Sequence, residues 1–282
     1  MRVARTIAEV RGELAPHRAT GHGIGLVPTM GALHDGHRSL LLAARKACDV
    51  VVASLFVNPL QFGPHEDFAA YPRSESADLA ACEEAGTDIA FVPDAGEMAM
   101  EAGVTTVVVG GLSEIVEGAS RPSHFRGVST VVTKLLNIVR PERLFLGQKD
   151  AQQNAVIGRL LEDLSFDVSL TVCPTVREPD GLALSSRNAY LSSSERAAAT
   201  ALYRALVAGR ECVVSGGTVD EAEARMHEVL GAQEGVEPDY ARAVDPVSFQ
   251  APVPGQTVLL VVAAQVGAAR LIDNLIAEPE DG

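Results

Sequence analysis

The sequence predicts an α/β fold, a parallel sheet covered by helices, followed by a smaller α+β domain. Three observations carry this. Short apolar runs at residues 24–27, 50–57, 89–92, 105–109, 143–146 and 167–173 alternate with helical patterns at 38–48, 76–85, 130–139 and 151–164. Strands separated by helices imply βαβ crossovers and parallel pairing. The run Val50-Val51-Val52-Ala53-Ser54-Leu55-Phe56-Val57 is apolar without alternation, as expected of a strand covered on both faces. The character then changes near residue 175, where Pro174, Pro179-Asp180-Gly181 and Ser185-Ser186-Arg187-Asn188 read as a long loop.

Taken in order, the run 24–27 ends in a turn containing Pro28, Gly31 and Gly36, and the apolar-periodic helix 38–48 follows. The run 50–57 gives way to Asn58-Pro59, and 143–146 ends at Gly147 ahead of the helix 151–164. Beyond 175, Ser192-x-x-Glu195 and Thr218-x-x-Glu221 read as capping boxes before helices at 196–213 and 222–230. Strands are expected at 240–244, 258–264 and 269–272. The two domains are therefore expected to span 1–175 and 176–282.

Composition narrows the function classes. The chain has 282 residues, 47% of them hydrophobic, and a net charge of −14. That charge argues against a nucleic-acid partner, which needs a basic face, but not against a small anion held by a local basic cluster. Cys48, Cys82, Cys173 and Cys212 are widely spaced with no C-x-x-C pair, which favours reduced core thiols in a cytoplasmic protein over a zinc or disulfide framework. The first residues lack the apolar core of a signal peptide. The most apolar stretch, 258–269, is interrupted by Gln265 and Gly267 and too short to span a bilayer, so no membrane partner is expected.

Four segments concentrate chemistry where strands end, the edge at which open α/β sheets bind ligands. In the first, Met30-Gly31-Ala32-Leu33-His34-Asp35-Gly36-His37, two imidazoles three residues apart share one face of a helical turn, beside backbone N–H groups suited to phosphate. In the second, Asn58 and Gln61 bring neutral amides fit for hydroxyls and carboxylates. In the third, Gly147-Gln148-Lys149-Asp150 opens a helix; Lys149 suits phosphate, and Asp150 either caps the helix or meets ribose hydroxyls. In the fourth, Leu184-Ser185-Ser186-Arg187 reads as a loop able to close on a polyphosphate. Arg121 to Gly127 adds further positive charge on a loop, with a solvated turn as an equal alternative. No P-loop and no G-x-G-x-x-G occurs. The residues alone indicate a phosphate-handling, nucleotide-dependent α/β enzyme.

These segments resemble the pantothenate synthetase (pantoate–β-alanine ligase) family, of the His-x-Gly-His nucleotidyltransferase superfamily. The resemblance rests on Pro28-Thr29-Met30-Gly31-Ala32-Leu33-His34-x-Gly36-His37, Phe56-Val57-Asn58-Pro59-x-Gln61-Phe62, Arg121-Pro122-x-His124-Phe125-x-Gly127-Val128, Gly147-x-Lys149-Asp150-x-Gln152-Gln153 and Leu182-Ala183-x-Ser185-Ser186-Arg187-Asn188, in the family's order. The tail Ala269-Arg270-Leu271-Ile272-Asp273-Asn274 fits as well.

The resemblance implies a Rossmann-like first domain, a C-terminal lid domain and a homodimer. It implies that ATP, with Mg²⁺ present, and pantoate form pantoyl adenylate and pyrophosphate, after which β-alanine displaces AMP to give pantothenate. Met30 to His37, Gly147 to Asp150, Val176 through its backbone, and Leu184 to Arg187 would bind ATP. His34, His37, Lys149 and Arg187 would act in catalysis, with His37 the usual proton donor. Gln61 and Gln153 would hold pantoate, and Gln61 would border β-alanine; no protein-held metal is implied. The sequence departs from the family pattern at Leu184, Ala151, Ser123 and residues 97–103, which lack a Tyr-Pro. Another His-x-Gly-His nucleotidyltransferase and a catalytically dead paralogue are the competing readings.

Overall fold

The computed structural model describes residues 1–64, 66–100 and 103–278. Contacts divide the chain into two compact units, Met1–Gly147 with Val156–Pro174, and Gln148–Ala155 with Thr175–Gly282. Residues 148–155, expected with the first domain, thus group with the second.

The first unit runs β1 (Arg2–Ala4), α1 (Ile7–Ala19), β2 (Ile24–Thr29), α2 (Asp35–Ala47), β3 (Val50–Leu55), α3 (Glu75–Glu84), β4 (Ile89–Phe91), the single turns α4 (Ala95–Met98) and α5 (Glu117–Ser120), α6 (His124–Val139) and β5 (Arg143–Gly147). Helix α7 (Ala151–Asp163) begins in the second unit and returns the chain to the first, where β6 (Ser169–Cys173) completes the sheet. All six strands are parallel, in the order β1-β4-β3-β2-β5-β6. Successive strands step away from β2 through β3 to β4, and the chain then crosses back to place β5 on the other side of β2. That reversal makes the C-terminal ends of β2 and β5 the topological switch point, where ligands bind in such sheets.

Alternate residues along each central strand feed two cores. Leu26, Val52 and Leu144 join a cluster with Val10, Leu14, Val132, Leu136 and Ile157 from α1, α6 and α7. Val27, Val51, Ala53 and Phe145 face Leu41, Ala44 and Cys82 from α2 and α3. All six residues of β3 are buried, which explains its unbroken apolar run.

Several expectations need correction here. Residues 105–109 form no strand; the Val107 N–H is taken instead by the Thr130 side chain on α6, at 3.0 Å. Neither β1 nor α1 was expected; α1 carries Pro16 in its interior and is set by a Thr6–Glu9 capping box. Helix α6 begins at His124, six residues ahead of the expected start at 130.

In the second unit, α8 (Ser193–Ala198), α9 (Ala201–Val214) and α10 (Val219–Gly231) precede an antiparallel sheet, β7 (Val236–Val244), β8 (Val258–Val266) and β9 (Ala269–Ala277), in the order β7-β8-β9. Both capping boxes form, Ser192 with Glu195 and Thr218 with Glu221. Leu202, Leu206, Met226 and Leu230 pack with Leu260, Val262 and Ala264. The single helix expected over 196–213 is broken between Ala198 and Ala201. Strand β7 starts earlier, with a bulge between Pro238 and Tyr240, and β9 runs five residues beyond the expected end at 272. Among the described residues, no helix is long and apolar enough to cross a membrane.

Candidate active site

In the first unit, the loop after β2 is held in an unusual backbone path. Gly31 (φ +80°) and Ala32 (φ +51°) are consecutive left-handed residues, a conformation natural for glycine and strained for alanine. Thr29 Oγ1 donates to the Ser54 carbonyl at 2.8 Å and accepts from Gly31 N–H at 3.2 Å. The buried Asp78 carboxylate, on α3, accepts from Ala32 N–H at 3.0 Å and Leu33 N–H at 2.7 Å. A Cβ on Gly31 would stand 2.8 Å from Asp78 Oδ2, so the loop and the carboxylate fit only with glycine there.

This path delivers His34 to the N-cap of α2. His34 Nδ1 accepts from Gly36 N–H at 3.1 Å, and His37 Nδ1 accepts from His34 N–H at 3.4 Å. A neutral imidazole that accepts at Nδ1 carries its proton on Nε2. Both rings are thereby fixed as Nε2–H donors at the positive end of a thirteen-residue helix. The ring centroids are 4.2 Å apart, close enough for both to serve one anion.

Gln61 lies next to this loop. It sits in the short 3₁₀ turn Pro59–Gln61, and its Nε2 lies 3.0 Å from Met30 Sδ. Asn58, also buried, donates from Nδ2 to Gln61 Oε1 at 3.2 Å and to the Gly127 carbonyl at 3.1 Å. Asn58 therefore orients Gln61. Gly127 on α6 permits the close approach, since a Cβ there would come within 2.6 Å of Gln61 N.

Arg121 and His124 support the same residue from behind: Arg121 Nη2 donates to the Gln61 carbonyl at 3.2 Å, and His124 Nδ1 lies 2.9 Å from it. Arg121 is paired with Glu66 at 2.5 Å and Glu117 at 3.5 Å. The charge of Arg121 is thus paired within the fold, while Arg126 is exposed, and the stretch from His124 on is helix, where the sequence suggested a loop. Burial, reinforced by Arg121, pushes His124 down to about 4, so it is neutral at pH 7 and donates from Nδ1.

In the second unit, Gln148–Asp150 forms a 3₁₀ turn leading into α7. Asn274, on β9, donates from Nδ2 to the carbonyls of Gln148 at 2.9 Å and Lys149 at 2.8 Å, and accepts from Gln148 Nε2 at 3.0 Å. Lys149 Nζ lies 3.7 Å from Asp150 Oδ1. Lys149 lines a pocket with Ser185, Asn188 and Asp273 among apolar residues. Gln153 is half-buried, one turn into α7.

Val176 accepts from Leu184 N–H at 3.0 Å, closing the segment that leads into Ser185 and Arg187; Ser185 Oγ accepts from Arg187 N–H at 3.3 Å. Arg177 makes a bidentate pair with Asp273 at 2.6 and 2.9 Å. Burial raises Asp273, and Arg177 opposes that shift.

Within the first unit, the structure therefore brings together Met30, Gly31, Ala32, Leu33, His34, Asp35, Gly36, His37 and Gln61. Within the second, it brings Lys149 and Ser185 to one pocket, with Gln148, Asp150 and Arg187 on the flanking turns. Gly147 ends β5. Among the departures, Ser123 is the N-cap of α6 and Ala151 the first residue of α7. In 97–103, Glu97 accepts from Ile7 N–H at 2.7 Å, while Glu101 and Ala102 lie outside the described residues. Sequence reasoning gave no role to Asp78, Arg177, Asp273 and Asn274. For the last two a signal existed, since both stand in the tail motif 269–274, directly after the expected strand 269–272.

A family model described as "Pantoate-beta-alanine ligase" matches residues 2–276. A curated "Pantothenate synthetase" of Koribacter versatilis is 48% identical over 281 residues, covering 99% of this chain and 96% of the relative. A solved pantothenate synthetase from Thermus thermophilus superposes with a TM-score of 0.92 at 47% identity, over 99% of this chain and 100% of that one. A pantoate-beta-alanine ligase from Francisella tularensis, solved in complex with "Beta-gamma ATP and Beta-alanine", has a TM-score of 0.81 at 33% identity, over 98% and 97% of the two chains.

Proposed function

We infer the residue roles from one premise: the chain belongs to the pantoate-beta-alanine ligase family. It is an amide-bond-forming ligase that joins pantoate to β-alanine with ATP, giving pantothenate, AMP and pyrophosphate. A pantoate carboxylate oxygen attacks the α-phosphorus and pyrophosphate leaves. The β-alanine amine then attacks the acyl carbon, loses a proton, and AMP departs with the carboxylate oxygen.

The observation that carries the reading is the pair of imidazoles locked as Nε2–H donors at the switch point of the sheet. In the first unit, His34 and His37 stabilise charge growing on the phosphate oxygens, and His37 acts as a donor by hydrogen-bonding the leaving pyrophosphate from Nε2–H, which keeps its proton. Met30, Gly31, Ala32, Leu33, Asp35 and Gly36 shape the wall against which ATP lies. Donors fixed before the reaction need no reorganisation during it, which is what makes them effective. Gln61, oriented by Asn58, holds the pantoate hydroxyl and carboxylate groups and borders β-alanine.

Gly147, the last residue of β5 in the first unit, serves the nucleotide; in the second unit, Lys149 and Arg187 serve the phosphates, Gln148 and Asp150 the nucleotide, Val176 the adenine, Leu184, Ser185 and Ser186 the triphosphate, and Gln153 pantoate. A lid role for residues 176–282, and a homodimer, follow from the family resemblance.

Mg²⁺ fits as an ion carried by the triphosphate. Mg²⁺ ordinarily binds through substrate phosphates and water, with one or two carboxylates at most. When bound it neutralises phosphate charge. The four free cysteines suit a reducing compartment, and we place the enzyme in the cytoplasm.

Pantoate labelled with ¹⁸O in its carboxylate tests the chemistry. One label in the released AMP is expected; unlabelled AMP would exclude attack of the carboxylate on the α-phosphorus.

A further inference from the structure

Strand β9 carries two adjacent polar residues, Asp273 and Asn274, each only 3% exposed. Burying polar groups costs free energy unless every one is bonded, and here the bonds are made to loops instead of to the core. Asn274 Oδ1 accepts from Gln148 Nε2, and its Nδ2 donates to the Gln148 and Lys149 carbonyls, all at 2.8–3.0 Å. Both hydrogens of the amide and its oxygen are thus committed to the turn that bears Lys149. Its neighbour Asp273 holds Arg177 by two bonds, and the same guanidinium donates to the Asn274 carbonyl and the Gly181 carbonyl, each at 3.0 Å. Arg177 also lies over the Tyr203 ring, 4.5 Å from its centroid. Arg177 belongs to the segment that runs into Ser185–Arg187. Two loops far apart in sequence are therefore tied to consecutive residues of one strand.

We propose that the Asp273-Asn274 pair is a splint that sets the Lys149 turn and the Ser185–Arg187 loop in a common register, with Asn274 the positioning residue for Lys149. The proposal rests on the reading above that Lys149 serves the ATP phosphates. The buried Asn274 amide is bonded to the Gln148 and Lys149 turn and acts through it: it fixes the Gln148 and Lys149 carbonyls, so that the ammonium starts from a defined point. A lysine on an unfixed turn would keep its charge and lose its placement, and misplacement of a phosphate ligand weakens transition-state stabilisation more than ground-state binding.

The test is a double-mutant cycle on adenylate formation, followed by pantoate-dependent pyrophosphate exchange in the full-length enzyme. Lys149→Ala is expected to slow exchange about 100-fold and Asn274→Ala about 10-fold or more, while the double variant stays within about threefold of Lys149→Ala, because residues acting through one group are not additive. The KM for β-alanine should be unchanged in Asn274→Ala. A purely structural Asn274 would lower the thermal midpoint and give losses that multiply in the double variant, which would overturn the proposal; so would exchange within threefold of wild type in Asn274→Ala. If instead Lys149→Ala itself is within threefold of wild type, the reading of Lys149 fails and the proposal falls with it. Should Asn274→Ala fail to fold, Asn274→Ser removes the amide that makes these bonds while keeping a small polar side chain, and its loss must again vanish in the Lys149→Ala background.

Discussion

The backbone N–H of His34 donates to Nδ1 of His37 at 3.4 Å, so each imidazole is anchored through Nδ1 to the loop that carries it. Rotation of either ring would break an anchoring bond. Replacing His37 by Gln keeps a donor but not a ring fixed at this distance. Adenylate formation should fall by about 10²–10³, the usual loss for a donor aimed at developing charge, with an unchanged circular dichroism spectrum. Rates within a few-fold of wild type would remove His37 from the chemistry.

Asp78 holds the same loop from α3 through Ala32 and Leu33. Gly31→Ala would push a Cβ towards Asp78 and force alanine to φ +80°, a strain of about 1–3 kcal/mol. The expected outcome is a roughly tenfold or greater loss of adenylation, since small misplacements of reacting groups are costly, with the amide-forming half-reaction from supplied pantoyl adenylate far less affected. Equal loss in both halves would show general damage to the fold.

Gln61 is fixed by Asn58 on one side and by Arg121 and His124 on its carbonyl. Gln61→Ala and Gln153→Ala should each raise the KM for pantoate about tenfold or more, the loss expected when one or two hydrogen bonds to a charged substrate disappear. The KM for ATP should move far less. The reverse pattern in steady-state kinetics would mean that the acid pocket lies elsewhere.

His124 gives the fold a pH dependence. Its folded value of about 4 lies below the ordinary 6.5. The unfolded chain therefore takes up a proton that the native state refuses, and stability falls as pH drops from 6.5 towards 4. Between pH 7 and 5 this one group should remove about 2 kcal/mol. Urea unfolding of wild type and His124→Gln at both pH values checks it: the variant should lose less on acidification. An identical loss would assign the pH effect to other groups.

The central sheet was legible because β3 has no polar face and the helices around it keep their period. What stayed hidden is long-range. β1 is three residues long and finds its partner 87 positions away, Arg2 beside Ile89, so nothing local marks it as a strand. The β-prone residues 105–109 pair with no strand, and Val107 N–H goes to the Thr130 hydroxyl instead, a choice that propensity alone does not reveal. The histidines, Gln61 and Lys149 could be named from their place after strands. Asp78 could not, because its partners lie 45 or more residues away, and an aspartate in a helical pattern reads as an ordinary surface residue until its burial is known; for Asn274 the tail motif could be read but not its bonds to the Lys149 turn, more than 120 residues away.

The most direct measurement is AMP release by the purified protein from ATP, Mg²⁺ and pantoate, with and without β-alanine. The account predicts AMP turnover only when both acids are present, with pantothenate formed in equal amount. AMP turnover independent of β-alanine, or no AMP with all substrates supplied, would contradict it.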